Sequence, residues 1–353
     1  MEDFADDAPV ITLTIKKISG ECAPLNVPIT CTLQLLKGAA AALSAVGPFS
    51  FKLFTEEGVI LDGGPESTVA DLCLQNGDSL TIVTEITRDY SRIRVPEQVL
   101  ETGAYPAGIL VNDAGHIYVC HMYGELKVFD SNLQIVGQTR IPDQCRQLAL
   151  APSGELLIAY QKRIGVHDPT SLQMRRSFGT LRSSRGIAVD GRFVFASDYN
   201  MNVIQKYRFK DGDLIGTYAP ALSQPCGLAV IDSNSLAVAD RGTNRVLFLD
   251  KESWAIQLQL PCEGAPNQNL LLKPNDVKVD TSGNLLVMDT GHERIAVFHP
   301  DGSLLASILE GFFTFSGCTY CNLFCNCVTG AVVASSDDSH RIAVFSPLFP
   351  KSS

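Results

Sequence analysis

The chain contains no apolar run near the ~18 to 20 residues that a membrane-spanning helix needs, and membrane association is not expected. Positive charge is also short: 28 Lys and Arg stand against 38 Asp and Glu, a formal net charge of −10. The broad basic field used for non-specific nucleic-acid binding is therefore missing. No HExxH run, glycine-rich phosphate loop or adjacent nucleophile and base is found, so the commonest catalytic signatures are excluded. The start, MEDFADDAPV, is acidic where a secretory leader would be basic and then apolar. A cytoplasmic location is expected, with the nucleus as the other compartment. Thiols stay reduced there, and eleven cysteines, an odd number, do not suggest a disulfide framework.

What is present is a chain of 353 residues, 45% of them apolar, long enough for two domains with real cores. Residues 1 to 90 carry five Lys/Arg against thirteen Asp/Glu, whereas the remainder carries twenty-three against twenty-five. An acidic first quarter and a nearly neutral remainder predict two units.

The second unit is written in repeats. RIGVHD (163 to 168), RVLFLD (245 to 250), RIAVFH (294 to 299) and RIAVFS (341 to 346) align, with ELKVFD (125 to 130) and VIQKYR (203 to 208) as looser copies. The fifth positions of these six phrases are Phe129, His167, Tyr207, Leu249, Phe298 and Phe345, 38 to 49 residues apart. Upstream of the phrases lie AGILVNDAGHIYV, RQLALAPSGELLIA, RGIAVDGRFVFA, CGLAVIDSNSLAVA and NDVKVDTSGNLLVM, each a strand, a polar turn and a strand. With a fourth strand such as LLASIL (304 to 309), each unit makes a four-stranded antiparallel sheet. One such sheet cannot bury both faces, so six must stack in a ring. The pattern G[IL]AVD, G-x-L-x-V-x-D, R[IV]-x-V-F resembles the NHL repeat, which implies an all-β six-bladed propeller over residues 91 to 347. The last unit lacks a fourth strand, and SRIRV (91 to 95) is expected to supply it.

Residues 318 to 327, CTYCNLFCNC, hold Cys318, Cys321, Cys325 and Cys327. Aligned on the fifth unit, Cys325 and Cys327 take inward strand positions and Cys321 follows the same two-residue period. Paired C-x-x-C hairpins, the usual zinc arrangement, are missing, so these are read as core cysteines and no metal or other cofactor is expected.

In the acidic unit ITLTIKKISG, ECAPLNVPI, FSFKLF and SLTIVTEI read as strands and TLQLLKGAAAAL as a helix capped near Thr30 or Thr32, an α+β order. STVADLCLQNGDSLTIV (67 to 83) resembles the closing segment of ubiquitin, with KKISG, TLQLLK and the Leu61-Asp62-Gly63 step as further matches. A ubiquitin-like β-grasp domain over 10 to 86 is expected. It has no terminal Gly-Gly, so the resemblance implies a built-in mimic read by ubiquitin-binding proteins through a patch at Ile18, Phe54 and Val83.

Candidate chemistry in the propeller is thinner. Asp240 and Arg245, and Asp289 and Arg294, repeat the spacing D-x-x-x-x-R, with Asp198 a third copy lacking the Arg. Such an Asp caps its own turn and pairs with the repeat's Arg; the other reading is a metal in the channel, as in lactonase-like propellers. His121, His292 and His340 map to loops of neighbouring blades, and a metal-dependent hydrolase or lyase is a further alternative. The first expectation is a non-enzymatic scaffold whose propeller binds a protein or peptide, while the N-terminal module engages ubiquitin-pathway partners. RNA binding, which some NHL propellers show, is the alternative that the acidic neighbours disfavour. The binding face is expected to be built from Tyr105, Tyr123, Arg146, Tyr160, Arg185, Tyr199, Arg241 and His292, since Tyr and Arg dominate binding hot spots.

Overall fold

The computed structural model describes residues 9–17, 22–33, 36, 40, 51–55, 67–84, 96, 98–101, 105–112, 114–130, 132–219, 221–232, 234–261, 271–280, 283–299, 302–309, 321–325, 332–336 and 340–345, with residues 17, 51, 52, 54, 81–84, 98, 101 and 345 described by backbone alone. The chain divides into two compact units, the first covering residues up to Arg88 and the second nearly all the rest.

In the first unit β1 (Val10–Lys17) and β2 (Cys22–Pro28) form a hairpin, and β3 (Phe51–Phe54) and β4 (Ser79–Thr84) complete a sheet of order β2-β1-β4-β3. β1 and β4 run parallel, with Ile15 opposite Leu80, while the outer pairs are antiparallel. Alternation places Leu13 and Ile15 on one face, where they pack with Leu53, Leu80 and the helical residues Leu33, Leu36 and Ala40. The i, i+3, i+7 spacing of those three gives the helix one apolar stripe for the sheet. Thr68 and Asp71 cap the following turn reciprocally: Asp71 accepts from Thr68 N–H at 2.9 Å, and Thr68 Oγ1 accepts from Asp71 N–H at 3.2 Å. These bonds hold the Asp71 carboxyl below its ordinary pKa.

The second unit is six four-stranded antiparallel sheets, each in chain order except the last. Their innermost strands are Pro106–Val111, Cys145–Leu150, Ser184–Val189, Pro225–Val230, Pro274–Val279 and Asn322–Cys325 for blades one to six. Each lies against the next, and that of blade six returns to that of blade one, so the sheets close a propeller. The repeated third-strand phrase supplies the seams between blades: Phe129, His167, Tyr207, Leu249 and Phe298 are all buried. Each fully buried large apolar side chain contributes roughly 1.5 to 3 kcal/mol, so the seams are where the ring's stability is concentrated.

Three expectations change here. The ring is closed by a strand from before blade one, as the missing fourth strand requires, but that strand is β5 (Gln98–Glu101), paired antiparallel with Arg341–Phe345. SRIRV lies outside the described residues. Aligning LFCNCVTG (323 to 330) on DVKVDTSG (276 to 283) sets Leu323 at the position of Asp276, but in blade six Asn322 takes that position, a slip of one residue, and Cys321, Leu323 and Cys325 alternate into the seam between blades five and six. Cys321 and Cys325 are buried; Cys318 and Cys327 lie outside the described residues. Finally, Cys120 of blade one and Cys145 of blade two form a disulfide across their seam, with Cα atoms 6.1 Å apart, where only reduced thiols were expected. The two are 25 residues apart in sequence, and only the stacking of two blades brings them together.

Candidate functional site

On the propeller's axis the register makes Gly108, Gln147, Gly186, Gly227, Asp276 and Asn322 equivalent positions of the six inner strands. The glycines let inner strands approach closely: a Cβ on Gly186 would collide with the Cys226 carbonyl, and one on Gly227 with Asp276. The three longer side chains fill the space. Gln147 Nε2 donates to Asp276 Oδ2 at 2.9 Å and to Asn322 Oδ1 at 3.3 Å, and its Oε1 accepts from Ile187 N–H at 2.6 Å. Asp276 also accepts from Leu323 N–H at 2.9 Å and from Lys278 Nζ at 2.7 Å. Asn322 donates to the Ala107 carbonyl. The axis is thus pinned by a connected polar network at this level, with the Asp276 charge balanced by Lys278.

The last residues of the six second strands form another equivalent set: His121, Tyr160, Asp198, Asp240, Asp289 and Ser336. In blades three to five these are the repeated aspartates, and they work as caps. Asp198 accepts from Arg182 N–H at 2.6 Å and Ser183 N–H at 3.1 Å; Asp240 accepts from Ser223 N–H at 2.7 Å and Arg245 Nε at 3.1 Å; Asp289 accepts from Leu272 N–H at 2.7 Å and Arg294 Nε at 2.9 Å. Each aspartate ties the loop leading into its own blade to the second strand. Blades six, one and two replace it with Ser, His and Tyr, so the repeat's own device is missing from one arc of the ring.

The expected binding residues divide accordingly. Tyr105, 39% exposed, and Tyr123, 72% exposed, meet edge to face at 5.5 Å, and Tyr105 also meets the His340 ring at 4.4 Å. Tyr123 is carried on a turn tied to Tyr105 by the bond from Met122 N–H to the Tyr105 carbonyl. In blade three the Arg185 guanidinium lies 4.8 Å over the Tyr199 ring, both half-buried. Arg241 is drawn toward blade five, donating to the Lys273 carbonyl and to Thr290 Oγ1, each at 3.1 Å. His292 donates from Nδ1 to Asp289 at 2.8 Å and keeps part of its ring exposed.

Two expected contacts are withdrawn into the fold. Tyr160 is 0% exposed because it ends the strand and does not belong to the turn, which starts one residue later. Its hydroxyl donates to His167 Nε2 at 2.8 Å, and His167 Nδ1 donates to the Leu172 carbonyl at 3.0 Å. Since a carbonyl only accepts, the His167 tautomer follows, and burial lowers its pKa and raises that of Tyr160. Arg146 belongs to the inner strand of blade two and is buried, with Nη2 donating to Gln144 at 2.7 Å. Ile18 lies outside the described residues, and Phe54 and Val83 are placed by backbone alone on β3 and β4.

His121, expected on a loop, is the last strand residue of blade one and 1% exposed. Burial depresses its pKa to about 4, so it is neutral at physiological pH. Among the described residues no three His, Cys, Asp or Glu side chains are grouped to hold a metal ion.

No protein-family model and no curated protein matches the chain. Solved structures do. It is similar to virginiamycin B lyase from Staphylococcus aureus at 14% identity and TM-score 0.50, covering 72% of this chain and 89% of that one. The catalytically inactive variant of that lyase with quinupristin gives 14% identity and TM-score 0.52 over 70% and 97% of the two chains. A protein of unknown function from Bacteroides caccae gives 14% identity and TM-score 0.52 over 60% and 84%. At such identities the likeness is one of fold, and the fold is the β-propeller.

Proposed function

We propose that this chain is a non-enzymatic interaction scaffold: a ubiquitin-like module followed by an NHL-type propeller whose loop face binds a protein or peptide. The observation carrying the reading is the exposed ring cluster of Tyr105, Tyr123 and His340, set where the capping aspartate is replaced. In blades three to five the aspartates are engaged within their own blades, and Arg245 and Arg294 with them. The Tyr105 and Tyr123 rings are exposed and offer large contact area with a polar tip. The ubiquitin-like reading is supported by the mixed sheet of order β2-β1-β4-β3 with a parallel central pair and a helix stripe on one face; Ile18, Phe54 and Val83 stay its proposed contact patch for ubiquitin-binding proteins.

The experiment is site-specific photo-cross-linking in the full chain. A benzophenone amino acid in place of Tyr123 is expected to trap discrete protein adducts in cells, and the same group in place of Ile135, exposed on the outer strand of blade one, is not. Equal labelling from both positions overturns the reading, and adducts to RNA in place of protein move it to the RNA-binding alternative.

A second reading, a metal-dependent lyase or hydrolase, rests on the likeness in fold to virginiamycin B lyase. It predicts turnover of quinupristin by the purified chain with divalent metal added; the scaffold reading predicts none.

A further inference from the structure

The seam between blades six and one contains two buried polar side chains, His121 and Ser335. Along the second strand of blade one, Tyr118 and Cys120 pack toward blade two while Ile117 and Val119 pack against blade six. The two-residue period of the strand therefore turns His121 to the blade-six side. Along the second strand of blade six, Val332 and Ala334 pack toward blade five and Val333 toward blade one, which turns Ser335 to blade one. Both residues lie near the loop end of the seam, and they are 1% and 0% exposed. Among the described residues, neither imidazole nitrogen of His121 nor Oγ of Ser335 has a hydrogen-bond partner. A buried polar atom left without one is unfavourable, so three in one seam, on two side chains, point to a group that would satisfy them.

The surroundings define that group. Pro106 pairs with His121 across the ladder, and Tyr105 just before it brings its ring against those of Tyr123 and His340. Lys127 and Glu125, on the neighbouring strand, neutralise each other at 3.1 Å. A neutral imidazole offers one N–H and one lone pair, and a serine hydroxyl offers either.

We propose that this seam is a recognition pocket for an uncharged side-chain carboxamide of a bound peptide, with His121 and Ser335 as its hydrogen-bonding floor and Tyr105 as its cover. The proposal rests on the reading of this face as a peptide-binding surface. A carboxamide presents a carbonyl to the imidazole N–H or the hydroxyl and an NH2 to the remaining lone pair, and its plane suits a wall of aromatic rings. A carboxylate would bury an unpaired negative charge beside a neutral ring, and an ammonium an unpaired positive one.

The test is a titration of the full chain, labelled with 15N-histidine, with N-acetylglutamine methylamide and, separately, N-acetylglutamate methylamide. The His121 signals, identified by their absence from His121→Asn, are expected to shift saturably with the glutamine probe and at least tenfold more weakly with the glutamate probe. Ser335→Ala is expected to weaken the glutamine response at least threefold, a measurement that does not depend on the histidine variant folding. No shift with either probe, equal shifts with both, or an experimental structure in which an ordered water bridges the two side chains and persists with the glutamine probe present, overturns the proposal. Failure of the wider reading is separate: a His121 response without cross-links from position 123 keeps the pocket, and cross-links without a His121 response remove it.

Discussion

Asp276 and His121 are two buried polar residues with opposite circumstances. Asp276 is fully engaged: Gln147, Lys278 and the Leu323 amide all donate to it. Asp276→Asn removes the charge that balances Lys278 and turns one acceptor oxygen into a donor facing donors. Breaking a buried pair in this way costs about 3 to 5 kcal/mol, and chemical denaturation of the full chain is expected to show a loss of that order, partly recovered by adding Lys278→Met. His121 instead makes stability depend on pH. Its folded pKa is about 4 against an ordinary value of ~6.5, so between these values the unfolded chain binds the proton and the folded chain does not. Stability therefore falls as pH drops from about 6.5 to about 4, by up to roughly 3 kcal/mol from this residue, and is insensitive to it above that window. Denaturation midpoints of the wild type and His121→Phe measured at pH 7 and pH 4.5 check this: the variant is expected to lose less on acidification, and an equal loss would contradict it.

The elements show which parts of the fold a one-dimensional reading reaches. Strands, turns and blade count were legible because the third-strand phrase recurs and its apolar positions alternate, a local signal repeated six times. The axial network was not, because Gln147 and Asp276 are 129 residues apart and meet only once the ring has closed. Tyr160 was misplaced for a smaller reason: the turn of blade two starts one residue later than the spacing of tyrosines suggested, and at a strand end one residue separates a solvent ring from a buried one. The closing strand was legible in kind, since blade six ends without a fourth strand, yet its place was not, because SRIRV alternates polar and apolar residues whereas QVLE, with Val99 and Leu100 adjacent, carries no strand period of its own. β5 joins the first part of the propeller chain to the last, with Val99 opposite Ala343 and Leu100 opposite Ile342. A chain starting after Glu101 is therefore expected to lose cooperative unfolding and to be cut by protease within Asn322–Phe345 first; unchanged cooperativity and protection would show that the ring does not depend on this strand.

At the scale of the molecule, a single architecture is used unevenly around the ring. Blades three to five spend their aspartates on tying loops to strands, with Arg245 and Arg294 joining them in blades four and five, and blades six, one and two carry Ser, His and Tyr at the same position, beside the aromatic rings. The proposed binding surface is this aromatic arc. The direct measurement is the affinity of the full chain for the partner trapped at position 123, compared with Tyr105→Ala/Tyr123→Ala at low and moderate salt. Loss of two central aromatic contacts is predicted to weaken binding by at least ~2 kcal/mol, about thirtyfold, with little change between the two salt concentrations. Undiminished affinity in the double variant, or a steep fall of wild-type binding with salt, would contradict it.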